Sequence, residues 1–240
     1  MAALTARAIV ALDVPDAPQA ASLLARLGRA ADFVKIGSEL FTAAGPDIVS
    51  KMRAERRDVF LDLKWHDIPT TVRNAARSAA RLDVRLVTVH ASGGRAMLEA
   101  AVEGAGQGCG VLAVTVLTSL DGSSLGEAWG RPVSRVEDEV LRLAELARTA
   151  GAHGIVCSGA EAAAVRAAFG DSLRLLIPGI RLAGGDAHDQ ARVATPAAAL
   201  AAGASYLVLG RAVTAAADPA AALAQVQATV DNAARSPAPA

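Results

Sequence analysis

Asp62 and Lys64 stand at the end of the apolar run Val59–Leu63, in the stretch Asp62-Leu63-Lys64-Trp65-His66-Asp67-Ile68-Pro69-Thr70-Thr71. In a strand, residues two apart project to the same side, so the carboxylate and the ammonium are expected to meet. Lys35 lies in an earlier run, Phe33-Val34-Lys35-Ile36, which should neighbour the first if the two strands are consecutive, and Asp67 follows in the loop. Two lysines and two aspartates then gather with their charges nearly balanced. Charge at a strand end is costly to bury unless it is paired. That leaves two readings: an ion-pair network that only supports the fold, or a proton donor, Lys64, held between carboxylates with Lys35 balancing them. An ammonium fixed against one carbon stabilises a carbanion there and then protonates it.

A second constellation suits phosphate. Pro178-Gly179-Ile180-Arg181 and Leu209-Gly210-Arg211 each follow a late apolar run, and Gln190 lies in the long connection Arg181–Thr195. Glycines let backbone N–H groups approach an anion, and arginine offers a two-pronged fork. The plain alternative is turn glycines beside surface arginines. His90 ends the run Val87-Thr88-Val89-His90 and is read first as a packed, hydrogen-bonded residue. His66 is read as packing or support beside Lys64, and Cys157 and Trp65 as core. Thr118-Ser119 opens a polar loop, Asp121–Gly130, either a lid or a solvated connection.

These residues need a scaffold that brings strand ends together. Short apolar runs at Ala8–Leu12, Phe33–Ile36, Val59–Leu63, Leu86–Val89, Val111–Leu117, Gly154–Cys157, Leu175–Ile177 and Tyr206–Leu209 read as strands buried on both faces. Between them, Pro18–Leu27, Thr70–Arg81, Arg95–Ala105, Val136–Thr149, Glu161–Ala168 and Thr195–Ala202 carry helical spacing. Such alternation over 240 residues predicts a single-domain (β/α)₈ TIM barrel across residues 1–240, with 233–240 as a frayed tail. An open doubly wound sheet would favour a glycine-rich turn after the first strand, where Leu12-Asp13-Val14-Pro15-Asp16 stands instead. In a barrel, chemistry sits where strands end: Asp13, Lys35, Asp62, Lys64, His90, Thr118, Ser158, Arg181 and Arg211 hold those positions.

Composition narrows the partners. Formal net charge is zero and the charges are dispersed, which argues against nucleic acid, and no apolar run reaches membrane-spanning length. Cys109 and Cys157 are isolated, without metal-ligand spacing, and His153 and His188 add none, so no metal is expected. Two lone cysteines fit a reducing cytoplasm. Met1–Arg7 is too short and too weakly apolar to act as a signal peptide ahead of the first strand.

Taken in order along nearly the whole chain, these motifs resemble the orotidine 5′-phosphate decarboxylase family. The resemblance rests on Ala11-Leu12-Asp13, Phe33-Val34-Lys35-Ile36-Gly37, Asp62-Leu63-Lys64 with His66-Asp67-Ile68-Pro69, Thr88-Val89-His90-Ala91, Leu117-Thr118-Ser119, Pro178-Gly179-Ile180-Arg181, Asp189-Gln190 and Gly210-Arg211. The Asp-x-Lys-x-x-Asp core is shared with related sugar-phosphate enzymes; the Ile-Pro-x-Thr that follows makes it specific. The family often has asparagine where Thr70 stands, and threonine can also open the next helix.

The resemblance implies cofactor-independent loss of CO2 from orotidine 5′-phosphate. Lys64 would protonate carbon 6, Asp62 would lie against the departing carboxylate, and Lys35 would link that array to the ribose. Asp67, with Ile68 and Thr71, would act in the neighbouring subunit's site, so the working unit would be a homodimer. Asp13 would bind the ribose or pyrimidine side and Thr118 the pyrimidine, while Pro178, Arg181, Gln190, Gly210 and Arg211 would form the phosphate end. Losing CO2 from such a ring leaves a localised carbanion, and the sequence offers no cofactor motif to act as electron sink, so fixed charge must stabilise it. Two rivals remain: a magnesium-dependent sugar-phosphate aldolase or decarboxylase reusing Asp62, Lys64 and Asp67, and a silent barrel that only binds nucleotide phosphate. The absence of a further carboxylate where His90 stands argues mildly against the first.

Overall fold

The computed structural model of the chain describes residues 6–182 and 194–235. Eight parallel strands close into a barrel in chain order: β1 (Arg7–Ala11), β2 (Phe33–Gly37), β3 (Asp58–Trp65), β4 (Leu86–His90), β5 (Gly110–Val114), β6 (Gly154–Val156), β7 (Arg174–Ile177) and β8 (Tyr206–Leu209). Closure is made by β1 against β8, with Arg7 opposite Tyr206 and Val10 opposite Leu209, which excludes the open sheet. Around the barrel run α1 (Ala17–Leu27), α2 (Ser38–Ala44), α3 (Asp47–Ala54), α4 (Pro69–Arg81), α5 (Arg95–Ala105), α6 (Gly122–Trp129), α7 (Val136–Thr149), α8 (Gly159–Phe169), α9 (Pro196–Ala201), α10 (Arg211–Thr214) and α11 (Pro219–Arg235). Residues 233–235, grouped with the tail on sequence, are the last turn of α11, and 236–240 lie outside the described residues.

Strand alternation divides the core in two. Ile9, Ala11, Phe33, Phe60, Leu86, Leu112, Leu176 and Val208 fill the barrel interior, with Val156 and Tyr206 packed on them. The intervening residues, among them Val10, Val34, Leu61, Val87 and Ala113, pack outward against the helices. Both faces are therefore buried, which is why the strands read as continuous apolar runs. Carried one step further, the same inward alternation takes Asp13, Lys35, Asp62, Thr88 and His90 to the C-terminal mouth.

The connection Asp121–Gly130, expected as a loop, is instead the helix α6. Asp121 caps it, accepting a hydrogen bond from the Ser124 N–H at 2.8 Å, and Gly130 ends it in the left-handed conformation. Gly122-Ser123-Ser124 are weak helix formers, so the cap and the buried Leu125 set the helix rather than propensity. The strand expected over Val111–Leu117 stops at Val114, after which the Thr115 hydroxyl donates to the Val156 carbonyl at 2.8 Å. Ser158, another strand-end residue, is buried as the cap of α8.

Packing of α4 on α5 fixes the segment that leaves β3. Gly104 of α5 lies so close that an added Cβ would sit 2.2 Å from the Arg73 carbonyl oxygen of α4. Only glycine permits that approach, which sets where Asp67 and Ile68 emerge, immediately before Pro69 opens α4.

Candidate active site

At the C-terminal mouth, four charged side chains alternate in sign. Lys35 Nζ donates to Asp13 Oδ1 at 2.7 Å and lies 3.6 Å from Asp62 Oδ2. Lys64 Nζ contacts both Asp62 oxygens, at 2.9 and 2.8 Å. Lys35 and Asp62 are both buried, so each charge has given up water and depends on the others. Burial alone would raise the Asp62 carboxyl; the positive charges of Lys35 and Lys64, with hydrogen bonds from Lys64 and Thr88, outweigh it and hold Asp62 below its ordinary value.

That direction fixes a pH dependence. Asp62 is ionised more readily in the folded chain than in the unfolded one, so its stabilising contribution is complete above the ordinary value of 3.8. It is lost as pH falls below 3.8 and through the lower folded value. Urea unfolding of the wild type at descending pH is expected to show this decline, and Asp62→Asn is expected to remove that part of it; an identical acid limb in both proteins would contradict the pairing.

Asp62 and Lys64 meet as expected, but simple alternation is not the cause. Opposite β4, Leu61 pairs with Val87 and Trp65 with Val89, so four steps of β3 span two of β4. The extra residues bulge, and Lys64 adopts φ 51°, a left-handed conformation that costs on the order of 1–3 kcal/mol for a residue with a side chain. Its N–H donates to Thr88 Oγ1 at 2.9 Å, and the Thr88 hydroxyl donates to Asp62 Oδ1 at 2.9 Å. Sequence reasoning gave Thr88 no role. A polar residue between Leu86 and His90 on the inward parity of β4 was the available signal.

Asp67, expected to join the charges, does not. The chain leaves β3 at Trp65 and turns outward, and the Asp67 carboxylate is exposed, accepting from the Ile68 N–H at 2.6 Å. Asp13 completes the alternating array in its place. Ile68 is 67% exposed, unusual for so apolar a side chain, and Thr71 is also exposed. His66 is exposed too, its ring 5.5 Å from that of half-buried His90. Burial first, then the charges of His66 and Lys64, lowers the His90 pKa against the opposing pull of Asp62, so its imidazole is neutral near pH 7. Cys157 is fully buried and Trp65 partly so, both against the core.

One cavity of about 580 Å³ joins the charged array to the second constellation. Asp13, Lys35, Asp62 and Lys64 line it together with Thr118 and Ser119 and with Pro178, Gly179, Arg181, Gly210 and Arg211 from the ends of β7 and β8. Gly179 has φ 71°, and the bridge between Ile180 and Ala194 draws the two ends of the long connection together, with the Arg181 N–H donating to the Ala194 carbonyl at 2.9 Å. Arg181 is buried in this wall, while Arg211 is exposed at the start of α10. Gln190 lies outside the described residues. Among the described residues, no group of three or more His, Cys, Asp or Glu side chains is placed to hold a metal ion. Among them also, no helix is long and apolar enough to cross a membrane.

The arrangement has the parts for charge-stabilised chemistry on an anionic ligand: a cationic end, a polar middle, and an ammonium fixed on a buried carboxylate. Known proteins resemble this chain over most of its length. The profile described as "Orotidine 5′-phosphate decarboxylase / HUMPS family" matches residues 6–226. An orotidine 5′-phosphate decarboxylase of Halorhodospira halophila is 51% identical over 93% of this chain and 95% of its own length. One of Thermobifida fusca is 50% identical over 95% of this chain and 97% of its own. The crystal structure of orotidine 5′-phosphate decarboxylase from Lactobacillus acidophilus superposes with a TM-score of 0.83 at 36% identity, covering 94% of this chain and 99% of that one.

Proposed function

The chain belongs to the orotidine 5′-phosphate decarboxylase / HUMPS family, and on that premise we propose how its cavity works. It decarboxylates orotidine 5′-phosphate to uridine 5′-phosphate and CO2, a carboxy-lyase step of UMP formation in pyrimidine biosynthesis. The observation that carries the mechanism is the alternating row Asp13–Lys35–Asp62–Lys64 in one cavity with Arg181 and Arg211.

In this reading the phosphate lies against Arg181, Gly210 and Arg211, with Pro178 at that end, and the family resemblance assigns Gln190, outside the described residues, to the same role. The ribose lies by Asp13 and Lys35, and the pyrimidine by Thr118. The substrate carboxylate then faces Asp62. When the bond from carbon 6 to the carboxyl carbon breaks, CO2 leaves and the electron pair stays on carbon 6. The Lys64 ammonium stabilises that pair and delivers its proton to it, and the resulting amine regains a proton from solvent. Preorganisation does the work: the ammonium is already aimed by Asp62, so little rearrangement is needed as charge develops. Binding energy from the remote phosphate supports the step. No cofactor takes part in this scheme.

The exposed Asp67, Ile68 and Thr71 complete the site of a second copy, making the working unit a cytoplasmic homodimer with shared sites. Their support is the exposure of Ile68 beside a carboxylate that the cavity of its own chain does not use.

The phosphate assignment has its own test. Arg211→Ala removes a charged hydrogen-bond donor worth about 1.5–3 kcal/mol, so KM for orotidine 5′-phosphate is expected to rise roughly 10–100-fold with a smaller change in kcat. An unchanged KM in steady-state kinetics would remove Arg211 from the phosphate end.

A further inference from the structure

We propose that Thr88 is a positioning residue for the decarboxylation, its hydroxyl holding both the Lys64 backbone and the Asp62 carboxylate in working geometry. The inference rests on the function proposed above and assigns a role to a residue that does not line the cavity.

The bulge in β3 creates the need. Where four residues of β3 pass two of β4, the strand ladder cannot supply an acceptor for every N–H, and the Lys64 N–H is one left over. The Thr88 hydroxyl supplies it at 2.9 Å. The same hydroxyl has one proton to give, and it goes to Asp62 Oδ1 at 2.9 Å. The hydroxyl thus accepts from one partner and donates to another, and Thr88 is 1% exposed, so water does not substitute. The Lys64 backbone is held left-handed at φ 51°, a conformation that persists only where the surroundings impose it. Thr88 ties that backbone to the carboxylate that aims the Lys64 ammonium, closing a ring of contacts: Lys64 N–H to Thr88, Thr88 to Asp62, Asp62 to Lys64 Nζ. Loss of the hydroxyl frees both the bulge and the carboxylate, while the arginine end of the cavity is untouched.

Thr88→Val keeps the shape and removes the hydroxyl; Thr88→Ser keeps the hydroxyl and removes a methyl. With wild-type turnover of orotidine 5′-phosphate as reference, Thr88→Val is expected to lose roughly 100-fold in kcat, the scale of an ångström-sized misplacement, with KM changed by less than about threefold. Thr88→Ser is expected to recover most of the loss. In Thr88→Val the carboxyl of Asp62 also loses a hydrogen bond that favours its ionised form, so the acid limb of kcat is expected to move to higher pH. Wild-type kcat in folded Thr88→Val, or a serine variant as impaired as the valine one, would overturn the proposal, because the methyl and not the hydroxyl would then matter. If Thr88→Val does not fold, Thr88→Ala is read by the same split between kcat and KM, and a loss confined to KM overturns the proposal equally. Absence of turnover in the wild type would count against the proposed function rather than against Thr88.

Discussion

Lys64→Ala protein is expected to lose turnover by roughly 10⁴-fold or more while still binding uridine 5′-phosphate. Two contributions vanish together: a general acid, worth about 10²–10⁴, and a preorganised charge on the developing carbanion, worth about 10²–10³. The fold is expected to survive, because alanine at φ 51° meets the same backbone strain as lysine and the N–H bond to Thr88 is kept. Asp62 keeps Lys35 at 3.6 Å as a counter-charge. Product affinity by calorimetry and single-turnover kinetics separate the two effects. Retained turnover would exclude Lys64 as the proton donor, and loss of product binding with loss of turnover would point to a collapsed site.

Asp67→Ala is expected to lose at least about 100-fold in turnover, the scale of lost positioning at a reacting centre, with little change in stability. The second half follows from exposure: an exposed carboxylate bonded to its neighbour's N–H is ordinarily worth within about 0.5 kcal/mol, and Asp67 fits that description among the described residues. A large catalytic loss from a residue outside its own cavity is explained if it completes the site of a second copy. Mixing Asp67→Ala with Lys64→Ala protein then regenerates one intact site in each mixed dimer. With equal amounts and free exchange, half the dimers are mixed, so activity is expected to recover to about a quarter of wild type. No recovery, with subunit exchange confirmed by a tagged partner, would contradict the shared site.

How much of this was legible in the sequence depended on whether a feature was local. The barrel was legible because both faces of each strand are buried, which writes eight short apolar runs into the chain, and because Arg95–Ala105 and Val136–Thr149 carry clean helical spacing. Short helices were not: α2, α3 and α10 offer too few turns for a periodic signal, and α6 is set by the Asp121 cap and the buried Leu125 against its own glycines and serines. At the site, strand parity takes Lys35 and Asp62 to the mouth, and Lys64 reaches Asp62 by way of the bulge rather than by the alternation that the sequence suggested. The bulge that turns Lys64 was not legible, since it depends on registration against β4, and neither was Thr88, whose role exists only because of that bulge. Asp67 was grouped with the cavity because nearness in sequence was taken for nearness in space, and the turn out of β3 separates them.

In the proposed mechanism the alternating array performs decarboxylation by its own fixed charges. The most direct measurement follows the ultraviolet absorbance of orotidine 5′-phosphate with wild-type protein in excess chelator, beside Lys64→Ala. Conversion to uridine 5′-phosphate by the wild type alone, undiminished by chelator, is the predicted result. No conversion by well-folded wild type, or conversion that appears only when magnesium is restored, would contradict it and turn attention to sugar-phosphate substrates at the same carboxylates.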